Sequence, residues 1–117
     1  MHERSLVRAL LRQVAEVAAN HPDSHVLSVQ VRIGEFAGVE PDLLTSAYDD
    51  MVQDTSLRNA VLRMERVPLE ASCDACGAQF RVEQYRFQCG QCGSARLTLR
   101  GGEELLLNSV TLEETQP

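Results

Sequence analysis

The chain contains no lysine, and all 11 of its basic residues are arginine. That absence reads as a composition bias of the source and carries no functional argument. Basic charge is also short: 17 acidic residues against 11 basic ones leave a formal charge of -6. A molecule of that sign repels polyanions as a whole, which disfavours nonspecific nucleic-acid binding. No apolar run approaches the roughly 20 residues needed to span a bilayer, and the first residues lack the charged-then-apolar pattern of a signal peptide. These absences predict a cytoplasmic protein with no membrane span. Nothing repeats internally, and no segment is low in complexity. What is present, 117 residues with 44% hydrophobic content, suits one ordinary domain or a compact domain with a small module set into it.

Hydrophobic periodicity places the elements. From Ser5 to Ala19, Leu6, Val7, Leu10, Leu11, Val14, Val17 and Ala18 recur at helical spacing, while Arg4, Arg8, Arg12 and Glu16 line another face. The arginine face reads as solvated, with Arg12 spaced to pair with Glu16. Asn20 to Ser24 form a turn, after which Val29, Val31 and Ile33 alternate with Ser28, Gln30 and Arg32 as in a strand with one buried face. Pro41 suits the first turn of a second helix, whose apolar stripe runs from Leu43 to Val52 and which is expected to end near Thr55. Ala60, Leu62 and Met64 mark a second strand, and a third is expected over 103–112. The fold class predicted is α+β: a small mixed sheet of about three strands packed with two helices, with an inserted four-cysteine zinc-ribbon module. Residues 1–69 plus 103–117 are assigned to the first domain and 70–102 to the ribbon.

The most specific signal in the spacing is a pair of Cys-x-x-Cys-Gly turns, Cys73 to Gly77 and Cys89 to Gly93. In a reducing compartment such cysteines are poor candidates for structural disulfides, and metal binding is their leading use. Each turn aims two thiolates at one point, and glycine lets the backbone fold behind them. Phe80, Val82, Tyr85 and Phe87 lie between the turns as hairpin-like material able to shield the site in a module with little core of its own. Cys73, Cys76, Cys89 and Cys92 therefore predict a structural zinc site with a closed coordination sphere and no open position for catalysis. Iron in the same sulfur cage, as in a rubredoxin-like electron carrier, remains open on spacing alone, and colour separates the two. A zinc-ribbon adaptor for protein or nucleic acid is the other alternative. For the nucleic-acid case the ribbon is too nearly neutral, with Arg81, Arg86, Arg96 and Arg100 set against Glu70, Asp74 and Glu83.

A second constellation is three residues long. His2 follows Met1, and a bulky second residue is expected to block removal of the initiator methionine. The Met1 amine and His2 amide nitrogen can then close a five-membered chelate ring, and the His2 imidazole adds a six-membered ring through the same amide. A fourth donor, such as the Glu3 amide nitrogen or another imidazole, completes the tetragonal geometry that Ni(II) or Cu(II) favours. On these residues alone a solvated histidine at a frayed terminus is the simpler reading. His21 and His25, flanking the first turn, read as surface residues.

Taken in order, several features resemble the HypA/HybF family of hydrogenase nickel-incorporation proteins. They are Met1-His2-Glu3 opening an amphipathic helix, Gly34-Glu35-Phe36-Ala37-Gly38-Val39 with Pro41 after a strand, the paired cysteine turns, and Gly102-Glu103-Glu104-Leu105 before a final strand. The resemblance implies a nickel metallochaperone with no catalytic turnover, which loads Ni(II) as transient cargo into the [NiFe]-hydrogenase large subunit together with a HypB-type GTPase. Urease maturation proteins are a further possible client. It also implies nickel binding at Met1, His2 and Glu3 and zinc binding at the four cysteines, with Glu40 as a weaker candidate carboxylate near the nickel. Some members carry histidines beside the zinc cysteines; this chain has none between Cys73 and Cys92, so ligand exchange through such histidines is not expected.

Overall fold

The computed structural model describes residues 2–102 and 104–115, with the side chain of His2 outside the description. In chain order the elements are α1 (His2–Ala19), β1 (Ser24–Gly34), α2 (Pro41–Met51), β2 (Val61–Val67), β3 (Glu70–Cys73), β4 (Gln79–Arg81), β5 (Leu97–Arg100) and β6 (Leu105–Glu114). Two compact units divide the chain. The first comprises Met1–Arg32, Val39–Glu65 and Leu106–Pro117, and the second Ile33–Gly38 and Arg66–Leu105.

In the first unit the helical stripes become the core. Val7, Leu10 and Val14 of α1, Leu44, Ala47 and Tyr48 of α2, and Val29 and Val31 of β1 are all buried, and the two helices pack on each other. Arg4, on the opposite face of α1, reaches Asp50 of α2 at 2.9 Å; both are well exposed, so this pair adds little stability. The helix expected to run to Thr55 stops at Met51 for a local reason. The Thr55 backbone N–H and hydroxyl both donate to the Val52 carbonyl, and the hydroxyl accepts from the Leu57 N–H. Those bonds offer the chain a turn in place of another helical one.

A three-stranded sheet has the order β2-β1-β6. Glu35, just past β1, donates to the carbonyl of Val67 at the end of β2, so these strands finish together and run parallel, joined through α2. The Gly34 N–H donates to Glu104 just before β6, and the Thr115 N–H just after β6 donates to Asp23 just before β1. β6 is therefore antiparallel and the sheet is mixed, as expected. A strand flanked on both sides covers more of itself than alternation suggests: Val26 and Ser28 are buried along with Val29, Val31 and Ile33. Ser28 accepts from the Gln30 amide, whose oxygen in turn accepts from the Ser109 and Thr111 hydroxyls of β6.

The second unit is built on a smaller antiparallel sheet of order β4-β3-β5. Ala71 of β3 faces Phe80 of β4 and Leu99 of β5. Its core is slight: Leu69, Ala71 and Val82, with Phe36, Phe80 and Leu97 partly buried against them. Gly102 belongs to this packing. Its φ is +69°, and a Cβ built there would lie 2.5 Å from the Leu69 Cα, so the backbones meet at a distance only glycine permits. Among the described residues no helix is long and apolar enough to cross a membrane.

Two expectations follow. Gly102→Ala should destabilise the protein far more than Gly38→Ala, because Gly38 shares the positive φ but has nothing within 4 Å of its would-be Cβ; comparable melting temperatures for the two variants would contradict this packing. The buried Tyr48 hydroxyl donates to the Ala60 carbonyl at 2.9 Å, and Tyr48→Phe should cost about 1 kcal/mol at neutral pH in denaturant titrations. Burial, followed by the Asp49 charge, pushes the Tyr48 phenol up to about 12. Its neutral form is favoured by folding, so this contribution is present below the ordinary tyrosine range and lost as pH climbs towards 12, a loss the Phe variant should lack.

Candidate metal centre

Two turns of matching construction bring the cysteines together. In the first, the Cys73 N–H donates to Ala78 and the Gly77 N–H donates back to Cys73, each at 2.8 Å. In the second, Cys89 and Ser94, then Gly93 and Cys89, repeat the pattern at 2.9 Å. Gly77 and Gly93 take φ of +80° and +76°, the left-handed conformation that lets each turn close. Around them, the Gln88 amide donates to the Gly93 carbonyl and the Thr98 hydroxyl to Asp74, which fixes the flanks of both turns.

The ligand atoms of all four cysteines lie within 4.8 Å of one another. Cys73 Sγ is 3.5 Å from Cys92 Sγ, and Cys76 Sγ is 3.6 Å from Cys89 Sγ. Four sulfurs each about 2.3 Å from a tetrahedral zinc stand about 3.8 Å apart, so the cluster fits the ion in both size and donor type. Cys73 and Cys89 are buried, whereas Cys76 and Cys92 are exposed.

The electrostatics of the cluster divide the thiols in the same way. The backbone N–H of Cys76, and after it that of Ala75, hold the Cys73 thiol below its usual range. The N–H groups of Cys92 and Gln91 hold Cys89 down to about 6. At Cys76 the Ala78 N–H pulls down, but the bond to Cys89, loss of solvent and the other two sulfurs outweigh it, and the thiol rises to about 12. Cys92 is likewise raised: the pull of the Ser94 N–H is outweighed by the contact with Cys73, burial and Cys89. Each lowered thiol thus faces a raised one of the other turn.

The apolar residues between the turns part company. Phe80 and Val82 join the core of the unit, while Tyr85 and Phe87 each make a T-shaped contact with Phe36, with ring centroids 4.9 and 5.8 Å apart. Gln84 and Tyr85 both have positive φ, and Tyr85 remains 75% exposed. Glu35 lies beside Phe36 in sequence and accepts from the Arg81 guanidinium through both carboxylate oxygens, at 3.1 and 3.2 Å. Neither the Phe36 cluster nor the Glu35–Arg81 pair was anticipated from the sequence. The signal available was the Gly34–Val39 motif itself, which had no assigned partner.

Of the N-terminal residues, Met1 and the His2 side chain lie outside the described residues. The backbone of His2 opens α1, and Glu3 is buried, 8% exposed, in the first turn. Glu40 is exposed at the cap of α2, where its side chain makes no capping bond while its carbonyl accepts from the Leu44 N–H.

Comparison with known proteins accords with this architecture. A family model described as HypA, hydrogenase/urease nickel incorporation, metallochaperone, matches residues 1–112. The chain is similar to the hydrogenase maturation factor HypA of Nitrosospira multiformis, with 41% identity over 98% of this chain and 100% of the relative. It is also similar to that of Streptomyces avermitilis, with 38% identity over 97% and 88% respectively. Among solved structures, that of the Ni metallochaperone HypA from Helicobacter pylori superposes with a TM-score of 0.68 at 25% identity, covering 98% of both chains.

Because metal binding requires thiolates and Cys76 and Cys92 are raised, zinc uptake at neutral pH should expel protons. Acid should weaken binding as Cys89 becomes protonated near its lowered value of about 6. Calorimetry in buffers of different ionisation enthalpy measures the proton count; release of none would contradict the raised thiols.

Proposed function

The chain belongs to the HypA family of hydrogenase and urease nickel-incorporation metallochaperones, and from that membership we propose that it carries Ni(II) on its N-terminal nitrogens while zinc occupies the cysteine cluster. It is a maturation factor for hydrogenase and not an enzyme. The nickel donors are the Met1 amine, the His2 amide nitrogen and the His2 imidazole, with the Glu3 amide nitrogen or another imidazole as the fourth.

The observation that carries this reading is the start of α1 at His2. The first backbone N–H groups of a helix have no intrahelical acceptor, so the His2 and Glu3 amides are free of the helix ladder. Giving up those protons breaks no helical bond. The positive end of the helix also favours the negative charge that deprotonated amides bring. Glu40, exposed at the cap of α2, is a further carboxylate for the site.

The two metals have different work. Zinc, held by Cys73, Cys76, Cys89 and Cys92, supplies folding energy to a unit whose own core is slight. Nickel, held by nitrogens at a chain end, can be taken up stepwise by a partner's stronger ligands. The receiving protein is the large subunit of a [NiFe]-hydrogenase, with a HypB-type GTPase as co-worker and urease maturation proteins as a further client, all in the cytoplasm.

Ni(II) binding should be compared for the untagged chain, for His2→Ala and for a chain with a short extension ahead of Met1. The native protein should bind about one ion, and more tightly at higher pH because amide protons must leave. Both variants should lose most nickel binding with zinc content unchanged. Equal binding by all three would eliminate the N-terminal site.

A further inference from the structure

The outer face of α1 takes no part in the metal chemistry, and its composition is uneven. Arg4, Arg8 and Arg12 form one row at four-residue intervals, about 6 Å apart along the axis, and all three are exposed. Beside it runs a second exposed row, Ser5, Ala9 and Gln13, mostly of small side chains. Like charges four residues apart weaken a helix, and a cation in the first turn opposes the helix dipole, so local stability argues against the arginine row. One of its charges is answered within the fold, because Arg4 reaches Asp50 at 2.9 Å. The pairing of Arg12 with Glu16 that the spacing suggests is not formed, and among the described residues neither Arg8 nor Arg12 joins an ion pair.

We propose that this face docks an acidic helix of a partner protein, with Arg8 and Arg12 each meeting a carboxylate. Charge selects the sign of the partner. The chain as a whole carries -6, so an acidic partner is repelled by most of the surface and attracted at the arginine row, which fixes its orientation of approach. Shape selects a helix. The arginines make a ridge, and Ser5, Ala9 and Gln13 make a shallow groove beside it, into which a four-residue ridge of a second helix packs. Carboxylates four residues apart on that helix recur at the interval of the guanidiniums, and each arginine can hold one through two N–H groups.

The dock lies on the element that opens with the proposed nickel donors. Arg8 stands six residues, about 9 Å, beyond His2 along the axis, so a partner seated here is held beside the chain start. That use of the dock rests on the nickel reading, whereas the docking itself does not.

The test uses the full chain, with its zinc content measured and no nickel added. It is titrated at low salt into a fluorescein-labelled, alanine-based helical peptide carrying glutamate at every fourth residue, and anisotropy is followed. The peptide should bind, and more weakly as salt rises. Arg8→Gln combined with Arg12→Gln should weaken binding roughly tenfold, and Ala9→Gln, which fills the groove and changes no charge, should weaken it as well. Arg58→Gln combined with Arg63→Gln changes the net charge equally at exposed positions elsewhere and should leave binding near the native value. The variant lacking Arg8 and Arg12 should melt no lower than the native chain, since it relieves a like-charge row; a lower melting temperature would assign those arginines to the fold instead and overturn the proposal. So would no binding by the native chain, equal losses from the two double variants, or tighter binding of a single-stranded RNA oligonucleotide or of phosphatidylglycerol vesicles at the same salt. With nickel absent throughout, failure of the dock leaves the N-terminal site standing, and failure of that site leaves the dock.

Discussion

Convergence of four sulfurs on one point is the constraint on which the smaller unit rests. Its sheet has strands of three or four residues, and its apolar cluster is built on only Leu69, Ala71 and Val82. So little apolar burial does not hold an independent fold against chain entropy. The two cysteine turns supply what the core lacks, and their repeated hydrogen-bond pattern shows that the backbone is shaped around the cluster. Glu35–Arg81 and the edge contacts on Phe36 add to this from Ile33–Gly38, a stretch that is distant in sequence but compact with the cysteine unit.

The opposite end of the chain is governed by a different economy. There the groups proposed to hold nickel are backbone nitrogens, available because a helix always leaves its first N–H groups without partners. Sulfur donors anchored in turns suit an ion that stays, and nitrogen donors at a terminus suit one that is passed on. On the proposed reading, soft thiolates for one ion and tetragonal nitrogens for the other would let a single small chain keep two divalent metals apart.

Much of this was legible in the sequence, for identifiable reasons. Burial of Val7, Leu10 and Val14 and of Val29, Val31 and Ile33 follows directly from helical and strand periods, and the cysteine cluster from spacing. Less was legible where a residue's role depends on a distant partner. Nothing local announces that Phe36 meets Tyr85 and Phe87, that Gly102 is pressed against Leu69, or that Leu97–Arg100 pairs with β3. The helix end near Thr55 was misplaced because a threonine hydroxyl bonding to Val52 competes with the helix at short range, which apolar spacing does not register. The N-terminal motif is legible as chemistry, but Met1 and the His2 side chain lie outside the described residues.

The strand order β2-β1-β6 has a consequence for biosynthesis. β6 occupies one edge of the larger sheet, yet it is encoded after the whole cysteine segment, so on the ribosome helices and two strands emerge long before the strand that completes them. Until then one side of β1 is unpaired and exposed to wrong associations. The intervening segment also acts as a loop to be closed: while it is unfolded its ends wander, and once its turns are formed β6 is delivered to β1 at lower entropic cost. Folding of the insert and completion of the larger sheet are thus linked in time, and a delay in the first becomes a delay in the second.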